Sequence, residues 1–306
     1  MATIGNNTYT SFITECSNEP ISQNVILASV VSASARYFAS QGANVVLLAR
    51  EHSREKAEAI VSEIKELGGE ACFLASDVMN TEVLEKNYSD IMSRYGRIDV
   101  LLNAAGGNMP AATVPPQNTI FDLDIKAVET VSDLNLFGTI RPTMVFAKAM
   151  VEQKSGSIIN FSSMSALRPL TRVAGYGVAK AAIVNWTKYL CAEMAMKFGE
   201  GIRVNAIAPG FILTDQNRSL LTNPDGSLTP RAQTIIGHTP FGRFLEPEEL
   251  LGTLHWLASD ASKALRRGIA TLMAVYREPV VYAYYGDRAS IIQYPISNTS
   301  WAAPKP

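Results

Sequence analysis

The chain has 306 residues, 47% of them hydrophobic and 18% charged, and a formal net charge of -1. That balance suits a large buried core and excludes a disordered chain, and with lysines and arginines scattered rather than clustered it excludes one built to hold nucleic acid or an anionic membrane. Cys16, Cys72 and Cys191 lie far apart without C-x-x-C spacing, no basic start leads into an apolar run, and no segment reaches the roughly 18 apolar residues of a membrane helix. The expectation is a soluble protein of the reducing cytoplasm, with no disulfide framework and no metal site.

In chain order, residues 1–23 are polar and aperiodic and read as an irregular segment. Residues 24–27, Asn-Val-Ile-Leu, offer a short first strand, followed by a helix over residues 35–40 that Gly42 stops. Residues 43–49 form a compact apolar run, as in a strand covered on both faces. Residues 53–67 form the clearest helix, with Ser53 as cap, a stripe of Ala57, Ile60, Val61, Ile64 and Leu67, and Gly68-Gly69 as the stop. A strand over 71–75, a helix over 81–94 and a strand over 98–102 continue the alternation, which predicts an α/β fold: one domain with a doubly wound parallel sheet and helices on both faces. Residues 127–152 are helical, kinked or divided at Pro142. A strand over 157–161, a helix over 176–198 and a strand over 202–207 follow. Residues 210–243 form a long loop-rich excursion of the kind that covers a substrate, and a last amphipathic helix runs from Glu246 to near Ser259. The domain thus spans 24–264, and the tyrosine-rich, rhythm-free residues 265–306 form an atypical tail.

Ser163, Tyr176 and Lys180 stand out chemically. Tyr176 and Lys180 are four apart, so a helix places them on one face. An ammonium about 4 Å from a phenolate contributes roughly 4 kcal/mol at an effective dielectric near 20, enough to draw a tyrosine from ~10 toward neutrality and make it a general acid or base.

Asn103-Ala-Ala-Gly106 follows a strand at the carboxyl edge of the sheet, where doubly wound folds bind ligands. Together with Asn135 in Leu-Asn-Leu-Phe-Gly, Ser162-Ser163, Tyr176-x-x-x-Lys180, and Asn205-Ala-Ile-Ala-Pro-Gly210 followed by Thr214, it resembles the short-chain dehydrogenase/reductase family over about residues 35 to 264. The resemblance implies a Rossmann-like fold and an NAD(P)-dependent oxidoreductase. In it, Tyr176 is the acid/base on the substrate oxygen, Lys180 lowers its pKa and holds the cofactor ribose, Ser163 polarises the substrate C–O group, and Asn135 holds a water. Ser162 and Ser165 stand beside Ser163 as alternatives. On the cofactor side the resemblance implies Asn103, Ala104 and Gly106, Asp77 and Val78 at the adenine, and Pro209, Gly210 and Thr214 at the nicotinamide. Arg50 stands where an acidic residue would hold the ribose of NAD, so NADP is expected, with NAD as the alternative.

Asn108, Arg168, Arg172, Arg218 and His238 are substrate-side candidates, and the residues 213–218 and 229–238 resemble the bacterial branch acting on sugar acids such as mannonate. His52 and His255 lack metal-ligand spacing. The partners implied are a small-molecule substrate and further copies of the chain, in a homotetramer or dimer built partly on the helix of Tyr176. Two features depart from the family. No glycine stands between Gly5 and Gly42, so the phosphate-cradling Thr-Gly-x-x-x-Gly-x-Gly loop is missing. The Val-Asp-Gly-Gly terminus is replaced by residues 272–278, one coding of which (CTG ATG GCG GTT TAC CGG GAG) yields Asp-Gly-Gly-Leu-Pro-Gly when read two bases on. The missing glycines leave a rival reading: a silent relative that keeps the scaffold and no longer binds dinucleotide.

Overall fold

Runs that are apolar at every position suit strands covered on both faces, and the computed structural model forms its sheet from them. It describes residues 10–14, 25–168, 170, 172–213, 218, 221–239, 241–265, 269–270, 281–285 and 288–292. The strands are Thr10–Thr14 (β1), Asn44–Ala49 (β2), Glu70–Ala75 (β3), Val100–Asn103 (β4), Gly156–Phe161 (β5), Ile202–Ile207 (β6) and Ile269–Ala270 (β7). They form one seven-stranded sheet in the order β3-β2-β1-β4-β5-β6-β7, with every neighbouring pair parallel. The order reverses between β1 and β4, and ligands of such sheets bind beyond the carboxyl ends at that point. Strands Val281–Tyr285 (β8) and Arg288–Ile292 (β9) make a separate antiparallel pair.

The helices are Val25–Ser40 (α1), Arg54–Glu66 (α2), Thr81–Tyr95 (α3), Ile125–Ser132 (α4), Gly138–Gln153 (α5), Ala174–Phe198 (α6), Pro230–Gly237 (α7) and Leu251–Ala258 (α8). Alternate residues along each strand face opposite sides, and the core divides accordingly. Val45, Leu47, Leu102 and Phe161 meet Phe38 of α1, Val61 of α2 and Leu254 of α8. Val46, Leu48, Leu101 and Ile158 meet Ile91 of α3, Phe146 of α5 and Leu190 of α6. Each fully buried side chain of this size contributes about 1.5–3 kcal/mol.

Several expectations change. The segment 1–23 contains β1, paired to both β2 and β4 at the centre of the sheet. Residues 24–27 are not a strand, because α1 begins at Val25; a short apolar run fits a buried helix start as well as a strand. Ser53 makes no side-chain cap, since a 3-10 turn over Glu51–Ser53 leads into α2, and Leu67 is 82% exposed beyond the end of the stripe. The helical region 127–152 divides before Pro142: a π-helical turn, Asp133–Phe137, separates α4 from α5, and Pro142 lies within α5. The segment 265–306 carries β7, β8 and β9. The residues between β1 and α1, where the glycine-rich loop of the family would stand, lie outside the described residues, as do Thr214, Cys16 and residues 272–278.

Candidate active site

The site assembles at the carboxyl ends of β4 and β5, over the first turns of α6. Lys180 is buried, and its Nζ donates to the main-chain oxygen of Phe161, the last residue of β5, at 2.8 Å. The helical spacing brings the same Nζ to 5.5 Å from the centre of the Tyr176 ring. Tyr176 is partly buried and hydrogen-bonded to Ser163, whose hydroxyl oxygen also accepts from the Ser165 amide at 3.2 Å. Ser162, one residue earlier, faces away: its hydroxyl donates to the main-chain oxygen of Lys180 at 2.9 Å. Of the three serines, Ser163 is therefore the one joined to the phenol.

Asn135 lies in the π-helical turn and is fully buried. Its amide nitrogen donates to the carbonyls of Gly107 at 2.6 Å and Val131 at 2.7 Å, and its Oδ1 accepts from Gly107 N–H at 3.1 Å. Gly106 sits against both polar groups with φ +156°: a Cβ there would lie 2.5 Å from Asn135 Oδ1 and 3.1 Å from Lys180 Nζ. Only glycine fits both the backbone angle and the space.

The electrostatics differ from the expected ones. Burial pushes the Tyr176 phenol up to about 12, the hydrogen bond from Ser163 pulling it back, and burial pushes the Lys180 ammonium down to about 7. The lysine does not depress the phenol in this state. It is itself desolvated and directed at the Phe161 carbonyl, so near neutral pH the phenol keeps its proton while the lysine passes readily between its charged and neutral forms.

On the cofactor side, a cleft of about 820 Å³ opens at the ends of β2 and β3, lined among others by Arg50, His52, Ser76, Asp77 and Lys86. The Ser76 hydroxyl is buried without a partner and Asp77 accepts from Met79 N–H at 2.9 Å, while the cap of α3 is Asn80 rather than Asp77. A cleft of this size, which brings Arg50 and Lys86 together with Glu51 and Asp77, has room for the adenosine end of a dinucleotide. Val78 is buried against Ala105 and Leu134, and Ala104 is fully buried. The Asn103 amide does not line the cleft: its nitrogen donates to Thr143 Oγ1 at 2.8 Å and Asn160 Oδ1 at 2.9 Å. Pro209 and Gly210 follow β6, and the Pro209 carbonyl accepts from Met164 N–H at 3.0 Å. Lys86 and Ser76 were not foreseen; the signal was the spacing of Val83, Lys86 and Asn87, which share one face of α3.

Of the substrate-side candidates, Asn108 is 3% exposed and next to Gly107, and Arg168 is partly buried after the turn Met164–Ala166. Arg172 has φ +75° and its carbonyl accepts from Val114 N–H at 3.0 Å. His238 ends α7 and Arg218 is exposed. No group of three or more His, Cys, Asp or Glu side chains able to hold a metal occurs among the described residues. Cys72 and Cys191 are buried and not disulfide-bonded, and no described helix is long and apolar enough to cross a membrane.

Comparison with known proteins gives the same direction. Residues 26–268 match the family model adh_short_C2, described as enoyl-(acyl carrier protein) reductase. The oxidoreductase UxuB of Bacillus subtilis (strain 168), itself of uncharacterised activity, is 44% identical over 78% of this chain and 87% of its own. A 3-oxoacyl-[acyl-carrier-protein] reductase of Synechocystis is 33% identical over 77% of this chain and 87% of its own. Among solved structures, a Haemophilus influenza protein assigned as a D-mannonate oxidoreductase, with bound NAD, superposes with a TM-score of 0.76 at 35% identity, over 88% of this chain and 95% of that one. A protein of Beutenbergia cavernae assigned as an NAD(P)-dependent gluconate 5-dehydrogenase, with bound NADP, gives 0.71 at 25% identity over 89% and 98%. A parallel sheet reversing at β1 and β4, a tyrosine and lysine four apart at its carboxyl edge, and relatives that span most of the chain lead to one conclusion: this chain belongs to the short-chain dehydrogenase/reductase family of NAD(P)-dependent oxidoreductases.

Proposed function

We propose that the protein interconverts a carbonyl and a secondary alcohol of a sugar acid with NADP(H), or alternatively NAD(H), and that Tyr176 is the general acid and base. The observation that carries the reading is the hydrogen-bonded pair Ser163–Tyr176 with Lys180 Nζ 5.5 Å from the ring, at the carboxyl edge of the sheet. A neutral phenol held up to about 12 keeps its proton until the substrate oxygen gathers negative charge, and then has a short path to deliver it. Ser163 orients that oxygen. Lys180, poised at about 7, accepts a proton readily, and its positive charge at this range then favours phenolate. The bound nicotinamide supplies or accepts the hydride. Arg50, Lys86, Asp77 and Ser76 would hold the adenosine end, Gly106 and Lys180 the ribose next to the nicotinamide, and Pro209, Gly210 and Thr214 the nicotinamide itself.

The bound NAD and NADP of the two structural neighbours, and their assignment to sugar acids, support this reading. The absence of glycine between Gly5 and Gly42 favours the rival, a scaffold that no longer binds dinucleotide. Fluorescence titration with NADPH and NADH separates them. Saturable micromolar binding, abolished in Lys180→Ala, with turnover lost in Tyr176→Phe, supports the enzyme; no binding at millimolar cofactor overturns it. Exposed Val178 and Tyr189 on α6 and Met144 on α5 favour a homo-oligomer, tetramer or dimer, checked by light scattering.

A further inference from the structure

Buried polar atoms in folded proteins nearly always have partners, and each one without asks for an explanation, a bound ligand where several converge beside a reactive group. Four such atoms flank the Ser163–Tyr176 pair: both amide atoms of Asn108, the Ser165 hydroxyl and Nη1 of Arg168. Two short segments carry them, and both pack on the start of α6. Asn108 follows Gly107, whose N–H and C=O are both bonded to the Asn135 side chain, and precedes Met109, which shares an apolar cluster with Tyr176. The Ser165 carbonyl would be 3.2 Å from a Cβ at Gly177, so its turn is wedged against the helix one residue from Tyr176. Arg168 N–H closes that turn on the Met164 carbonyl at 3.0 Å, and Val114 N–H to the Arg172 carbonyl, also 3.0 Å, ties the two segments together.

The chemistry of the orphan atoms is specific. An amide that lacks partners for both its donor and its acceptor complements a hydroxyl, which is itself both. A guanidinium edge complements a carboxylate, and the serine hydroxyl serves a second substrate hydroxyl. An acyl chain would leave all four atoms unsatisfied.

Resting on the function proposed above, we infer that Asn108, Ser165 and Arg168 form the specificity wall of the site, with Arg168 taking the carboxylate of a polyhydroxylated monocarboxylic acid and Asn108 and Ser165 its hydroxyls. The test uses the full chain with NAD and NADP, the acids D-mannonate and D-gluconate, and the neutral polyols D-mannitol and D-glucitol as probes. Acid binding is measured by calorimetry and turnover by reduced nicotinamide. Arg168→Ala is expected to raise KM for the preferred acid about 10- to 100-fold, the loss of one charge-assisted bond, with kcat within about threefold, Arg168→Lys recovering part of the loss, and the weak use of the polyol unchanged. Asn108→Ala and Ser165→Ala are expected to raise KM for acid and polyol alike, and circular dichroism and the melting temperature certify the fold of each variant. An acid-to-polyol preference that Arg168→Ala leaves unaltered overturns the assignment, and so does the absence of acid binding at millimolar concentration. Acid binding that depends on Arg168 without any turnover overturns the hydride-transfer reading and leaves the wall standing.

Discussion

Two sets of buried polar side chains lie a few residues apart and behave oppositely. In the first, each amide nitrogen finds an acceptor: Asn103 donates to Thr143 and Asn160, Asn160 to Thr187, and Thr187 to the Ile183 carbonyl. Thr143 hands on to the Thr139 carbonyl and Thr139 to the Asn135 carbonyl, so a line of hydrogen bonds joins β4, β5, α5 and α6 and ends at Asn135. In the second set, Asn108, Ser165 and Arg168 have buried polar atoms with no protein partner. The first set, in which Asn103 Oδ1 alone lacks a partner, fixes a frame, and the second is the one proposed above to take a ligand. Polarity in a core is therefore uninformative until its partners are counted.

Substitutions can pull the two apart. The largest effect is expected at the site itself: Tyr176→Phe removes the proton carrier and should lower kcat by about 10²- to 10⁴-fold, with the melting temperature nearly unchanged. A comparable loss of stability with the loss of rate would mean that the phenol belongs to the frame. Asn160→Ala attacks the frame and is expected to cost about 2–3 kcal/mol in urea unfolding, since it leaves buried partners in Asn103 and Thr187; an undiminished unfolding midpoint would dissolve the distinction.

Lys180 stands between the two, its Nζ held by the Phe161 carbonyl and its charge governed by burial. Its folded pKa is depressed from 10.5 to about 7, so the stability of its neutral form is complete above about 10.5 and is lost as pH falls toward 7. The Tyr176 pKa is raised from 10.0 to about 12, so its contribution is complete below 10 and is lost as pH rises through 12. Between pH 7 and 10 the lysine governs, and this site makes stability rise with pH. Lys180→Met is expected to flatten that rise in melting curves, and a slope equal to that of the unaltered chain would count against a desolvated lysine. The smallest effect is expected from Ser162→Ala, about 1 kcal/mol for one hydrogen bond, read by the same unfolding assay.

Most of the sheet was legible because apolar runs alternating with amphipathic segments leave few alternatives: β2 to β6, α2, α3 and α6 follow from pattern alone. β1 was hidden because Thr10–Thr14, Thr-Ser-Phe-Ile-Thr, is half polar and gains its place only through pairing with β2 and β4. The π-helical turn was hidden because its reason is the packing of Asn135 against Gly107, not a local propensity. In the site, the spacing of Tyr176 and Lys180 was readable, but their electrostatics were not, since desolvation depends on what closes around them. Asn103 shows the same limit: a strand-end asparagine points to a ligand or into the sheet with the same sequence, and here its nitrogen is held by Thr143 and Asn160.

Gly106 has a consequence for how this chain can change over generations. One missing methyl group keeps Asn135 and Lys180 in place together, so a replacement there would disturb two functional groups at once and no second substitution could easily restore both. In a saturation library selected for turnover, position 106 should tolerate only its resident residue, while the orphan-bearing positions 108, 165 and 168 should admit the variety from which a new substrate preference could arise.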